Sequence, residues 1–232
     1  MFIQNNWLWE KYGSGLGIDP FDRGRYPTMQ AALNLLVGRR AQYANIVETG
    51  CQREPDDIGA GSSTTVFEEY IYRTKGALFT IDNNEEHLNR AKSYKIYDKS
   101  LITYILNDSI AALKSFPEPI DLLYLDSFDY PYGELLDIYG GKEDINKAIN
   151  ILKNMPEDEI VKQYSNIILP CQQHTVHELT AATSKLHHKS IILIDDNTLP
   201  GGGKTRLAKL WLKENSWMCV LDYHQTLWIK KE

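Results

Sequence analysis

Four apolar residues, Ile191, Ile192, Leu193 and Ile194, run without a break into Asp195, Asp196 and Asn197. An uninterrupted apolar run of this length reads as a strand buried on both faces, as in a parallel sheet covered by helices. Side chains just past the carboxyl end of such a strand lie where open α/β sheets bind ligands. Two carboxylates and an amide gathered there are costly unless they hold something, and oxygen donors suit a hard divalent cation.

The same pattern recurs along the chain. Strand-like runs lie at 45–50, 77–82, 101–106, 120–126 and 190–196, with helix-like runs at 28–42, 62–75, 84–95 and 108–115. A helix at 204–214 then leads to two β-runs, 217–223 and 224–231, with almost no turn between them. This alternation predicts an α/β fold, a doubly wound, mostly parallel seven-stranded sheet with a C-terminal antiparallel hairpin. The 232 residues read as a single domain, 1–232. Residues 1–27, rich in Gly, Pro and aromatics, form an N-terminal arm or lid over the site, or a packing extension. Segment 127–189 is longer than a crossover needs and reads as a helical insertion at the substrate edge, with helices near 143–153, 157–165 and 172–187. Such an insertion shapes substrate specificity or acts as a stabilising flap.

Composition excludes several classes. The 25 basic and 31 acidic residues give a net charge of −6, which argues against a broad nucleic-acid surface. The three cysteines, Cys51, Cys171 and Cys219, are widely spaced and suggest reduced thiols rather than a disulfide framework. The N-terminus lacks the basic-then-apolar pattern of a secretory signal, and no apolar run reaches the roughly 18 residues of a spanning helix. The expectation is a cytoplasmic protein without a membrane or nucleic-acid partner.

Each strand end carries polar side chains. VETG at the first strand brings Glu48 and Gly50, and GAGSST (59–64) follows after the polar excursion CQREPDDI. Small residues at a strand–helix junction admit a ligand to the helix N-terminus, or serve only as a turn. Asp82 ends the second strand and either holds ribose hydroxyls or caps the next helix. Asp108 and Ser109 follow the third strand and either cap a helix or lie beside a nucleobase. Asp126 ends the fourth strand in LLYLDSFDYPYG, with Asp129 three residues on. In the usual strand orders Asp126 faces Asp196 and Asn197 across one gap, a set suited to Mg²⁺ or Ca²⁺, or to capping loop amides. Gly203-Lys204-Thr205 evokes a phosphate loop, but Thr198 stands where that motif requires glycine, so the glycines read as a flexible turn. His174-x-x-His177-Glu178 matches no zinc motif; either histidine reads as part of a helix face, or as a base reaching the site from the insertion.

Together these features resemble the class I S-adenosylmethionine-dependent methyltransferases over roughly residues 28–126 and 187–232. LDSFD and IDDN are similar to motifs of the metal-dependent catechol and macrocin O-methyltransferase type. The resemblance implies S-adenosyl-L-methionine as cofactor, with Glu48, Gly50, Gly61 and Ser63 at its methionine end, Asp82 at the ribose, and Asp108 and Ser109 at the adenine. It implies Mg²⁺ held by Asp126, Asp196 and Asn197, with Asp195 as an alternative ligand. The expected reaction is O-methylation of a small-molecule, sugar or peptide hydroxyl, with Tyr130, Tyr132 and the insertion deciding the acceptor. The alternatives are an NAD-using oxidoreductase or a non-catalytic binding module. The family places a Lys or His base where this chain has Asp129, so Asp129, His174 and His177 are the candidate proton acceptors. CQREPDDI also splits the family's glycine motif.

Overall fold

The computed structural model describes residues 25–39, 43–53, 62–94, 97 and 101–231. Seven strands form one sheet: β1 Asn45–Thr49, β2 Ala77–Asp82, β3 Ile102–Leu106, β4 Ile120–Leu125, β5 Leu186–Ile194, β6 Trp217–Asp222 and β7 Thr226–Lys230. Their order is β3-β2-β1-β4-β5-β7-β6. The first five pair in parallel, and β7 runs antiparallel between β5 and β6. The sequence placed the hairpin correctly at the end of the sheet.

Helices cover both faces. They are α1 Tyr26–Arg39, α2 Ser63–Thr74, α3 Glu85–Ser93, α4 Ser109–Ser115, α5 Tyr132–Ile138, α6 Ile145–Asn154, α7 Glu157–Ala182 and α8 Thr205–Glu214. Met29, Leu33 and Leu36 of α1 and Phe67 and Tyr70 of α2 pack on Ile46, Leu78, Ile191 and Leu193. Leu113 of α4, Leu179 of α7 and Leu212 of α8 pack on the other face, against Val47, Leu123, Ile192 and Ile194. Alternate residues of β5 thus enter opposite cores, which is why its run has no polar member.

Three expectations need correction. The strand expected at 190–196 begins earlier, at Leu186, and its register against β4 shifts between Ile120 and Leu122. The helices expected at 157–165 and 172–187 are one helix, α7, irregular at Tyr164 and carrying Pro170 inside it. The kink falls at Tyr164, where φ is −121° and ψ 28°, close to the end expected for the first helix, and the helix then runs on through Pro170. The insertion also contains α5, which the sequence did not suggest. Together α5, α6 and the first half of α7 bury a small core of their own around Leu135, Leu152, Ile160 and Ile168. The arm at 1–27 lies outside the described residues except for its last three.

No helix among the described residues is long and apolar enough to cross a membrane.

The parallel register sets β1, β2, β4 and β5 to end along one edge, with Thr49 beside Ile81 and Leu125, and Leu125 beside Ile194. Two glycines allow close packing there. Gly50 has φ +79°, and a Cβ on it would stand 2.6 Å from the Asp126 carbonyl oxygen. Gly203 has φ +55° and ψ −154°, where a Cβ would overlap the Asp196 carbonyl oxygen at 1.7 Å. Gly203→Ala should therefore cost at least about 3 kcal/mol in urea unfolding. A loss below about 0.5 kcal/mol, the ordinary surface range, would contradict this packing.

Candidate active site

A cavity of about 180 Å³ opens at the carboxyl edge of β1, β2 and β4. Among its lining residues are Gly50, Ser63, Asp82, Asp108, Ser109, Asp126, Asp129 and His174, all singled out by the sequence. Gly61 lies outside the described residues.

Beneath this wall lies Glu48, fully buried at the end of β1. Its Oε2 accepts from Ser63 Oγ at 3.0 Å and its Oε1 from Thr80 Oγ1 at 2.8 Å. Burial pushes its carboxyl up to about 7, against the hydrogen bonds from Thr64, Thr80 and Ser63. Asp82 does not cap α3. That role falls to Asn84, whose side chain accepts from Glu86 N, while Asp82 Oδ1 accepts from Asn84 N at 2.8 Å. Asp82 Oδ2 lies 3.4 Å from Cys51 Sγ. A carboxylate can accept about four hydrogen bonds, so Asp82 retains capacity for the two hydroxyls of a ribose. Asp108 caps α4 through Ala111 N at 2.9 Å, as the plainer reading of the sequence had it. The left-handed Gly50 brings the β1 and β4 backbones together without a side chain between them. These features fit a nucleoside-bearing cofactor of the kind the resemblance implies.

The candidate bases separate. Asp129 forms a two-pronged ion pair with Arg53, at 2.9 and 3.0 Å. Burial would raise its carboxyl, but the Arg53 bonds and charge hold it below the ordinary value, so Asp129 is a poor proton acceptor. His177 belongs to a different groove of α7, beside Leu207, Leu210 and Trp211 of α8, and does not reach the cavity. His174 does reach it. Its Nε2 lies 3.1 Å from both Ser109 Oγ and Ser127 Oγ, and 3.6 Å from Glu178 Oε1. Burial would lower its pKa, but Glu178 and Asp108 raise it above the ordinary value. Ser127 Oγ in turn donates to the buried Glu178 at 2.6 Å. Tyr130 does not line the cavity: it is buried, and its hydroxyl donates to the Pro200 carbonyl.

The expected metal ligands are only partly brought together. Asp126 and Asp196 do converge, but on the ammonium of Lys204, whose Nζ lies 2.8 Å from Asp126 Oδ1 and 2.9 Å from Asp196 Oδ2. Asn197 turns away. Its Nδ2 donates to Asp222 Oδ1 at 2.7 Å and to the Tyr223 carbonyl, and its Oδ1 accepts from Thr205. Asp195, the alternative ligand, accepts from Arg25 Nε at 2.7 Å and Tyr124 Oη at 2.5 Å. Burial would raise the Asp195 carboxyl, but Arg25 and His224 hold it well below the ordinary range. Burial would lower the Lys204 pKa, but Asp126 and Asp196 outweigh it and keep the ammonium charged. As arranged, these side chains do not fit a divalent ion, because Lys204 and Arg25 stand against the Asp126, Asp196 and Asp195 carboxylates and the Asn197 amide is bound elsewhere.

Several of these residues carried no readable signal. Lys204 looked like the tail of a glycine turn, and Arg25 like part of an irregular arm. Only the chain's closure in three dimensions brings Arg25, 170 residues from Asp195, to its partner.

The Glu48 shift has a consequence for stability. Its folded pKa of about 7 lies above the reference 4.5, so this carboxyl favours folding fully below 4.5, and the contribution is lost as pH rises through 7. Glu48→Gln should gain Tm relative to the parent at about pH 8 compared with about pH 4. An equal Tm difference at both pH values would contradict a buried carboxyl of raised pKa.

No family model matches the chain, and no curated protein matches it in sequence. Solved structures match it in fold. The O-methyltransferase NovP superposes with a TM-score of 0.54 at 10% identity, covering 88% of this chain and 79% of NovP. The SAH-bound methyltransferase PaMTH1 of Podospora anserina superposes at 0.50 with 13% identity, covering 98% of this chain and 86% of its own. Five parallel strands closed by an antiparallel hairpin, with the cavity at their carboxyl edge, give this chain the class I methyltransferase fold.

Proposed function

We propose that the chain transfers the methyl group of S-adenosyl-L-methionine to a hydroxyl oxygen of a small-molecule, sugar or peptide acceptor. The observation that carries this reading is the convergence of Gly50, Ser63, Asp82, Asp108 and Ser109 on one cavity at the carboxyl edge of the sheet. The fold likeness to an O-methyltransferase supports oxygen as the nucleophile.

When bound, the cofactor supplies a methyl carbon made electrophilic by its sulfonium. The chain's own residues hold and orient. Asp82 would accept the ribose hydroxyls. Ser63 and the Gly50 backbone border the methionine end, with Glu48 behind Ser63. Ser109 would hold the adenine end, and His174 stands directly against Ser109. This placement favours His174 as a group that fixes the nucleoside rather than one that deprotonates the acceptor. Asp126 is the carboxylate that both lines the cavity and is held from behind by Lys204, which favours it over the Arg53-paired Asp129 as the group facing the acceptor hydroxyl. Much of the rate gain in such a site comes from alignment, with little covalent work for the protein. Phe128, half-exposed at the cavity wall, and the α5–α7 insertion are the elements that would select the acceptor.

Thermal unfolding with S-adenosylhomocysteine (SAH) and with NAD tests the reading. SAH at about 100 times its Kd should stabilise by about 2.7 kcal/mol, a Tm rise of a few degrees, and NAD should give none. His174→Ala should weaken SAH binding about three- to tenfold, as expected for one lost hydrogen bond, without moving the pH profile of kcat. Stabilisation by NAD alone would replace this reading with a nucleotide-dependent oxidoreductase. A His174→Ala variant with intact SAH affinity and a displaced pH profile would make His174 the base.

A further inference from the structure

We infer that Lys204 is the resident cation of this site, standing between Asp126 and Asp196 in place of a divalent metal. The claim about cation occupancy stands on geometry; only its use in catalysis rests on the methyl-transfer reading above.

The placement of Lys204 is built rather than incidental. Its side chain is 2% exposed, and its Nζ bridges the two carboxylates at 2.8 and 2.9 Å. Its backbone N–H donates to the Asp196 carbonyl at 3.1 Å, so both ends of the residue are tied to Asp196. The turn before it is fixed from two sides. Gly203 lies so close to Asp196 that no other residue fits, and Gln172 of α7 donates through Nε2 to the Gly201 and Gly203 carbonyls at 3.1 and 2.9 Å. Asp196 itself adopts φ +55°, which aims its carboxylate at the ammonium while its carbonyl meets the turn.

The neighbouring cation position is filled in the same way. Asp195, Asp196 and His224 offer ligand atoms within 4.8 Å of one another. Arg25 stands against one oxygen of each carboxylate, with Nε 2.7 Å from Asp195 Oδ2 and Nη2 3.5 Å from Asp196 Oδ1. A divalent ion needs carboxylate oxygens at about 2.0–2.6 Å. Entering here, it would have to sit within a few ångströms of a buried ammonium or guanidinium, where like charges repel strongly. Binding therefore requires Lys204 to leave, and the fixed turn opposes that.

Lys204 is then a positioning residue. It holds the Asp126 carboxylate at the cavity wall and compensates its charge, the electrostatic part a bound ion would otherwise supply.

Titration of the whole 232-residue chain with Mn²⁺, followed by electron paramagnetic resonance, tests the inference without any acceptor or cofactor. The parent should leave the free-ion spectrum unchanged. Lys204→Ala, with its folding checked by circular dichroism, should take up one Mn²⁺ per chain at least about tenfold more tightly than the parent. Lys204→Ala combined with Asp126→Asn should lose that site. Lys204→Gln, which keeps the length and removes the charge, serves if the alanine variant does not fold. Uptake of Mn²⁺ by the parent that disappears in Asp126→Asn would overturn the inference. So would folded Lys204 variants that bind no more Mn²⁺ than the parent. SAH binding by the parent is measured separately, so failure of the cofactor reading would leave the Mn²⁺ result standing.

Discussion

A buried ammonium between two carboxylates organises the carboxyl edge of this sheet. Taking the Lys204 ammonium out of water, with two carboxylates that stay 17% and 18% exposed, costs several kcal/mol, which is recovered only when the geometry is tight. That requirement reaches outward. β4 and β5 must be adjacent and in register so that Asp126 and Asp196 converge. The turn at Gly201–Gly203 must fold back onto Asp196 to deliver Lys204. Helix α7 must lie close enough for Gln172 to hold that turn. Beside it, Arg25 ties the start of α1 to Asp195, and Thr28 of α1 donates to Gln225 at 2.6 Å next to β7. The helices of both faces and the terminal hairpin are thereby fixed to one point.

The same arrangement shapes the cavity. Asp126 belongs both to the charged cluster and to the cavity wall, so it couples the internal ion network to whatever binds. On the other side, Ser127, the next residue, reaches Glu178 and His174 of α7. Two consecutive residues after β4 thus join the cavity wall to separate networks, Asp126 to Lys204 and Ser127 to Glu178 and His174. Positive φ at Phe128 and Asp196 marks the backbone that makes these sharp turns. Such conformations persist where surrounding contacts over-determine them, and they concentrate at functional sites.

What the sequence made legible follows the same physics. β5 could be read because burial on both faces leaves only apolar side chains at Ser190–Ile194 apart from its first residue. Asp82 and Asp126 could be read because strand ends in this fold point at ligands. The beginning of β5 could not, since His187, His188 and Lys189 are polar and lie where the sheet is open to solvent. The helices read at 157–165 and 172–187 meet without a loop, because α7 departs from helical geometry only at Tyr164 and runs on through Pro170. The oxygen donors were found, but not their partner: Asp195-Asp196-Asn197 looks like a metal motif until the reach of Lys204, eight residues beyond Asp196, is known. The glycines that suggested a loose turn are instead a close contact, a distinction that lies in backbone distance and not in residue type.

The central claim is that the ammonium and the two carboxylates act as one unit, and a double-mutant cycle in urea measures this directly. Lys204→Met alone should cost about 3–5 kcal/mol, because it leaves two carboxylates without their counter-charge. In an Asp126→Asn, Asp196→Asn background the same change should cost far less, giving a coupling energy of at least about 1.5 kcal/mol. Additivity within about 0.5 kcal/mol would mean that the three side chains are independent and would contradict the account.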